Sequence, residues 1–155
     1  MLKLNDILAT ISQRLDCPPP SPDATGVHLF PLAGDMTLKI QAIPGSDACL
    51  AWSDLLPSPS GTAAAEAMAT QLLNIRLARL RQTPDIVASR DQDGVFFLYT
   101  RLAVNNATEC LGRVARLLDE VEAVRRLVQA QVSVGDRALG GLGGLFSTAG
   151  IHAQS

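Results

Sequence analysis

Between Met36 and Ala42 apolar and polar residues alternate strictly, with Met36, Leu38, Ile40 and Ala42 on one parity and Thr37, Lys39 and Gln41 on the other. A period of two belongs to a strand with one covered face, because successive side chains of a strand point to opposite sides. Turn chemistry closes the stretch at both ends, with Ala33-Gly34 before it and Pro44-Gly45-Ser46-Asp47 after it. The chain must therefore fold back on each side. The flanking segments, Val27 to Leu32 and Ala48 to Leu55, are mostly apolar and β-prone, and the second carries Trp52, the only tryptophan. Three consecutive strands joined by short turns predict an antiparallel meander.

Helical spacing surrounds this meander. Leu4, Leu8, Ile11 and Leu15 follow steps of 4, 3 and 4, with Ile7 widening the stripe and Lys3, Asp6, Gln13 and Arg14 off it, so residues 3–15 read as an amphipathic helix. Pro18-Pro19-Pro20-Ser21-Pro22 ends it and starts a stiff connector to about Gly26. After the loop Pro57-Ser58-Pro59-Ser60-Gly61, Thr62 is placed to cap a second helix over residues 63–82, with Glu66 early and Arg76, Arg79 and Arg81 late. That helix has two apolar stripes, Met68-Leu72-Ile75 and Leu73-Leu77-Leu80. A helix with two apolar sides needs two partners.

Pro84 breaks the second helix, and Asp85 to Ser89 with Val95 to Leu102 form a hairpin around Asp91-Gln92-Asp93-Gly94, whose Asp-Gly step suits a positive φ. Val95-Phe96-Phe97-Leu98-Tyr99 is apolar on both parities, which predicts an interior strand. Asn106 and Glu109 resemble a capping box, and Cys110, Val114, Leu117, Val121, Val124 and Val128 keep steps of 4, 3, 4, 3 and 4, which predicts a third helix from about 107 to 131. The fold class is thus α+β in the order α-β-β-β-α-β-β-α. One domain is expected over 1–132, followed by a glycine-rich, flexible tail over 133–155, with five glycines between Gly135 and Gly144.

Function classes can be narrowed from the same residues. Thirteen Lys and Arg against 15 Asp and Glu leave a net charge of −2 and no basic stretch to neutralise phosphates, so nucleic acid is not an expected partner. The N-terminus turns polar within six residues and no apolar run approaches the roughly 20 residues of a membrane span, so a cytoplasmic protein without membrane insertion is expected. Cys17, Cys49 and Cys110 are odd in number and widely spaced, matching reduced core thiols better than disulfides or a metal clip.

Candidate chemistry is sparse. Gly140 to Thr148 is rich in glycine but lacks the lysine of a phosphate loop and follows no strand. His28 and His152, the only histidines, have no ligand-like neighbour three or four residues away. Asp119, Glu120 and Glu122 lie among Arg113, Arg116, Arg125 and Arg126 at helical spacings, the pattern of a solvated face laced by i to i+4 ion pairs. No catalytic group, cofactor or metal is expected. An aliphatic excess with only 18% charged residues points instead to apolar surface that meets another protein.

Four stretches carry a resemblance. They are Asn5-Asp6-Ile7-Leu8-Ala9 to Arg14-Leu15, the alternating strand Met36 to Ile43, the leucine-rich helix Met68 to Leu80 leading into Ile86-Val87-Ala88-Ser89, and Phe97-Leu98-Tyr99-Thr100-Arg101-Leu102 before the valine-rich last helix. Together with the element order they look like the Tir-chaperone family, the class I chaperones of bacterial type III secretion, over residues 3–130. The Pro18–Pro22 linker and the glycine-rich tail depart from that pattern.

The resemblance implies a twisted five-stranded antiparallel sheet with three helices packed on it. It also implies a homodimer joined through helix two and the strand after it, for which Leu72, Leu73, Ile75, Leu77, Leu80, Ile86 and Val87 are the candidate interface. The implied role is to bind the N-terminal segment of a secreted effector without ATP and keep it soluble and secretion-competent. The apolar positions Leu8, Ile11, Val27, Leu29, Leu38 and Ile40 are the candidate effector-binding residues. A dimeric, roadblock-like adaptor that binds a folded partner is the alternative.

Overall fold

A computed structural model describes residues 3–57 and 59–152, with side chains through residue 131. The element order is α1 (Leu4–Leu15), β1 (His28–Pro31), β2 (Thr37–Ala42), β3 (Ala48–Pro57), α2 (Thr62–Arg79), β4 (Val87–Arg90), β5 (Val95–Ala103) and α3 (Ala107–His152). All five strands form one antiparallel sheet in the order β1-β2-β3-β5-β4. The β4–β5 hairpin folds back so that β5 pairs with β3. This leaves β1 and β4 as the two edges.

Local chemistry sets the boundaries. Asp16 closes α1 in the left-handed conformation at φ 52°, and the proline run follows. The β1–β2 turn places Gly34 at φ 72° and Asp35 at φ 55°, closed by Leu32 N–H donating to Met36 O at 2.8 Å. Gly94 stands at φ 83°, and the Asp91 carboxylate accepts from Val95 N–H at 2.8 Å, so the Asp-Gly step makes the hairpin as expected. Asn106 caps α3 by accepting from Glu109 N–H at 3.0 Å, while the Glu109 carboxylate pairs with Arg113 instead of reaching back.

Three boundaries differ from the expectation. Thr62 is the first residue of α2, and the cap position falls on Gly61 at φ 98° with no side-chain cap. α2 ends at Arg79, where Gln82 N–H bonds to Arg79 O in a tighter turn ahead of Pro84. α3 continues to His152, beyond the expected end near 131, and the side chains of the segment read as a flexible tail lie outside the described residues.

The core lies between one face of the sheet and the helices. Phe30, Leu38, Ile40, Cys49, Ala51, Leu55, Phe96, Leu98 and Leu102 meet Ile7, Leu8 and Ile11 of α1, Leu72 and Ile75 of α2, and the α3 stripe Cys110, Val114, Leu117, Val121, Val124 and Val128. The register of β3 against β5 shifts between Asp54 and Leu56. Such a bulge frees carbonyls from the ladder, and Arg125 of α3 donates to Asp54 O at 2.8 Å and to Leu55 O at 3.0 Å there. The thiols of Cys49 and Cys110 are buried, which pushes the Cys49 pKa up to about 11 and raises that of Cys110.

Glu120 overturns the reading of α3's acids as a solvated face. Its carboxylate is 1% exposed and accepts from the guanidinium groups of both Arg76 and Arg79 of α2. The reason is position: Glu120 lies three residues after Leu117 and one before Val121, on the buried side of α3. Glu122–Arg126 does form the expected i to i+4 pair, and Glu109–Arg113 forms another.

Candidate partner-binding surfaces

α2 is held on one side only. Leu72, Ile75 and Arg76 are buried, whereas Leu73 is 59% exposed, Leu77 59% and Leu80 46%. These three exposed leucines are spaced four and three residues apart, so they form one stripe along the helix. Val87, the first residue of edge strand β4, is also exposed. Of the seven candidate interface residues, Leu73, Leu77, Leu80 and Val87 thus present surface in the single chain. Leu72, Ile75 and Ile86 are in the core.

A buried polar cluster carries this surface. Arg76 Nη1 bonds to Glu120 Oε1 and to Thr83 Oγ1 at 3.0 Å, and Arg76 Nη2 donates to Thr83 O at 3.2 Å and Ile86 O at 2.6 Å. Arg79 grips the same carboxylate through Nε at 2.9 Å and Nη2 at 2.9 Å, and hydrogen bonding to Glu120 raises the pKa of Arg79. Sequence reading missed this cluster. The available signal was that Arg76 stands beside Ile75 and one turn after Leu72, on the buried stripe.

The sheet has a second face. Residues on its opposite parity line up across all five strands, because Leu29 pairs with Lys39, Lys39 with Trp52, Trp52 with Tyr99 and Tyr99 with Val87. Trp52, Phe97 and Tyr99 are half-buried, Leu29 and Val87 are exposed, and Lys39 pairs with Asp54 at 2.7 Å in the neighbouring row. None of these residues belongs to the cluster that meets the helices.

The six candidate effector-binding residues are placed as follows. Leu8, Ile11, Leu38 and Ile40 are core residues, Val27 is 8% exposed, and Leu29 is 41% exposed on edge strand β1. Two apolar clefts flank α1. One, of about 350 Å³, lies at its start between Lys3, Leu4, Ala42, Cys49 and Val104. The other, of about 310 Å³, runs between Ile11 and Leu15 of α1 and Leu111, Val114 and Leu118 of α3. Ile11 is fully buried at the floor of this cleft, beside Val114 of the α3 stripe and Leu111 and Leu118 next to it.

Among the described residues no group of three or more His, Cys, Asp or Glu could hold a metal ion, and no helix is long and apolar enough to cross a membrane.

No protein-family model matches the chain, and no curated protein matches it in sequence. Solved structures do share its fold. A chain of the ExsC–ExsE complex is 23% identical with a TM-score of 0.62, covering 80% of this chain and 92% of that one. A chain of the HopA1–SchA chaperone–effector complex is 15% identical with a TM-score of 0.56, covering 77% and 91%. A chain from the structure of the Yersinia pestis type III secretion chaperone SycH with a fragment of YscM2 is 14% identical with a TM-score of 0.54, covering 79% and 99%. At these identities the likeness is one of fold, and the α+β arrangement here is the one found in type III secretion chaperone complexes.

Proposed function

We propose that this chain is a type III secretion chaperone: a non-enzymatic, cytoplasmic, bacterial protein that acts as a homodimer. It binds the N-terminal segment of a secreted effector and keeps it soluble and secretion-competent without ATP. The observation that carries this reading is the combination of that fold with apolar surface left open on the single chain. Leu73, Leu77, Leu80 and Val87 are the proposed contact between protomers.

An extended effector segment has two complementary features to use. Edge strand β1 presents the exposed Leu29 side chain, its outer side being bridged only by Pro22 opposite His28, and the clefts flanking α1 accept aliphatic side chains. Such binding needs no chemical step, since strand pairing and apolar burial supply the affinity.

The test is co-expression with the N-terminal region of the product of the neighbouring reading frame. The reading predicts a soluble complex with two copies of this chain, in which the bound segment resists protease only while bound. A partner that is folded beforehand and binds without gaining protection would support an adaptor instead.

A further inference from the structure

We infer that Glu120 is a positioning residue: acting through Arg76 from α3, it fixes where α2 and the start of β4 present Leu73, Leu77, Leu80 and Val87. This rests on the proposal that those four residues form an interface.

Little else holds α2. Of its 18 residues only Leu72, Ile75 and Arg76 are buried, and its principal neighbour is α3. Leu72, Ile75 and the half-buried Met68 supply attraction without direction, so they permit the helix to rotate or slide by a fraction of a turn. A guanidinium is different. Its planar donors fix direction as well as distance, most strongly toward a carboxylate.

Arg76 spreads those donors over three pieces of chain: Glu120 of α3, both the hydroxyl and the carbonyl of Thr83 in the turn after α2, and the carbonyl of Ile86 immediately before Val87. Leu73 and Leu77 lie three residues before and one after Arg76 on the same helix, and Leu80, four after it, is the helix C-cap. One side chain thus links the stripe on α2 to the edge of β4. Arg79 adds a two-point grip on the same carboxylate, which sets the rotation of α2 about its axis. Gln71 with Gln131 is a further, exposed link between α2 and α3.

Two variants separate positioning from charge. Arg76→Lys keeps the charge but cannot bond to Glu120, Thr83 and Ile86 together. Glu120→Gln keeps the shape and removes the charge that holds both arginines. Backbone hydrogen exchange and sedimentation velocity at several concentrations are measured on the full chain. The expected result for both variants is exchange faster by about tenfold or more over residues 83–90, with residues 37–42 of β2, which has no bond to β4, unchanged, and self-association weakened by about tenfold or more. Unchanged exchange over 83–90 would overturn the inference. So would equal acceleration in β2, which marks a role in stability alone. If the unmodified chain stays monomeric at every concentration, the interface proposal falls, and the exchange pattern decides positioning by itself.

Discussion

Leu77→Asp separates a surface that is merely exposed from one that is covered by a second protomer. In the single chain Leu77 is 59% exposed and makes no part of the core. The protomer should therefore lose little: roughly 0.5 kcal/mol of helix propensity and about 0.5 kcal/mol for an anion near the negative end of the helix dipole. In a two-fold dimer the same position counts twice. Full burial of a leucine is worth roughly 1.5–3 kcal/mol, so covering the exposed part contributes about 1–2 kcal/mol per copy. Losing both copies, before any desolvation of the two carboxylates, costs about 2–4 kcal/mol.

That loss corresponds to weakening the dimer by roughly 30- to 1,000-fold. Sedimentation equilibrium gives the association constant, and a urea melt of the same sample checks the protomer. A dimer that dissociates at an unchanged concentration, with the protomer folded, would refute the assignment of this stripe. Ile75→Asp is the contrasting control. Ile75 is 6% exposed and part of the core, so an anion there should unfold the chain itself.

Three further outcomes follow from burial and edge geometry. Leu29→Lys on β1 should weaken capture of an extended effector segment by at least about tenfold while leaving the melting temperature within a few degrees, and a pull-down unaffected by the change would remove β1 from the binding site. Thr100 is fully buried and its hydroxyl has no hydrogen-bond partner among the described residues; Thr100→Val should stabilise the protomer by about 1 kcal/mol, and a lower urea midpoint would show that the hydroxyl is satisfied. Cys49 has its pKa raised from 9.0 to about 11, so the folded state favours the neutral thiol. Its stabilising contribution is complete below pH 9 and is lost as pH rises from 9 to 11, by about 3 kcal/mol; Cys49→Ala should flatten that alkaline loss, and an identical pH profile in both proteins would contradict it.

The fold was legible where period and punctuation agreed. The alternation from Met36 to Ala42 and the 4-3-4-3-4 spacing from Cys110 to Val128 each give one face; the α3 face is buried throughout, and on the β2 face Leu38 and Ile40 are buried, Met36 is half-buried and Ala42 is exposed at the strand's end. The double stripe on α2 was equally visible, and it divides cleanly into Leu72 and Ile75 inside and Leu73, Leu77 and Leu80 outside. Groove and core could not be told apart from spacing. Leu8, Leu38 and Ile40 have the same pattern as a groove lining, and only the packing of three elements on one sheet face puts them beneath it.

The buried ion cluster was illegible for a different reason. Charged residues at i to i+4 spacing read as a solvated face because most such faces are, and here Glu109–Arg113 and Glu122–Arg126 obey that rule on the same helix as Glu120. Glu120 differs in lying beside the Leu117–Val121 stripe, but its partner, Arg76, is 44 residues away, and spacing along α3 cannot reveal it.

The single-sided arrangement of the helices leaves apolar residues outside the core. One face of the sheet is filled by α1, α2 and α3 together, whereas Trp52, Phe97, Tyr99, Leu29 and Val87 stand on the other parity and outside that cluster. β5 carries apolar residues on both parities for this reason, although only Phe96, Leu98 and Leu102 meet the helices. Its neighbour β4 is a four-residue edge whose residues are all exposed, and Val87 joins that edge to the aromatic row. An apolar patch over β3, β5 and β4 that continues to an open edge, together with a helix that bears a bare leucine stripe, is costly for an isolated chain to keep in water. The stripe and the aromatic row are therefore the two surfaces on which a dimer would have most to gain. A tyrosine-to-serine change at Tyr99 should then affect association more than protomer stability, the same division that Leu77→Asp is designed to expose.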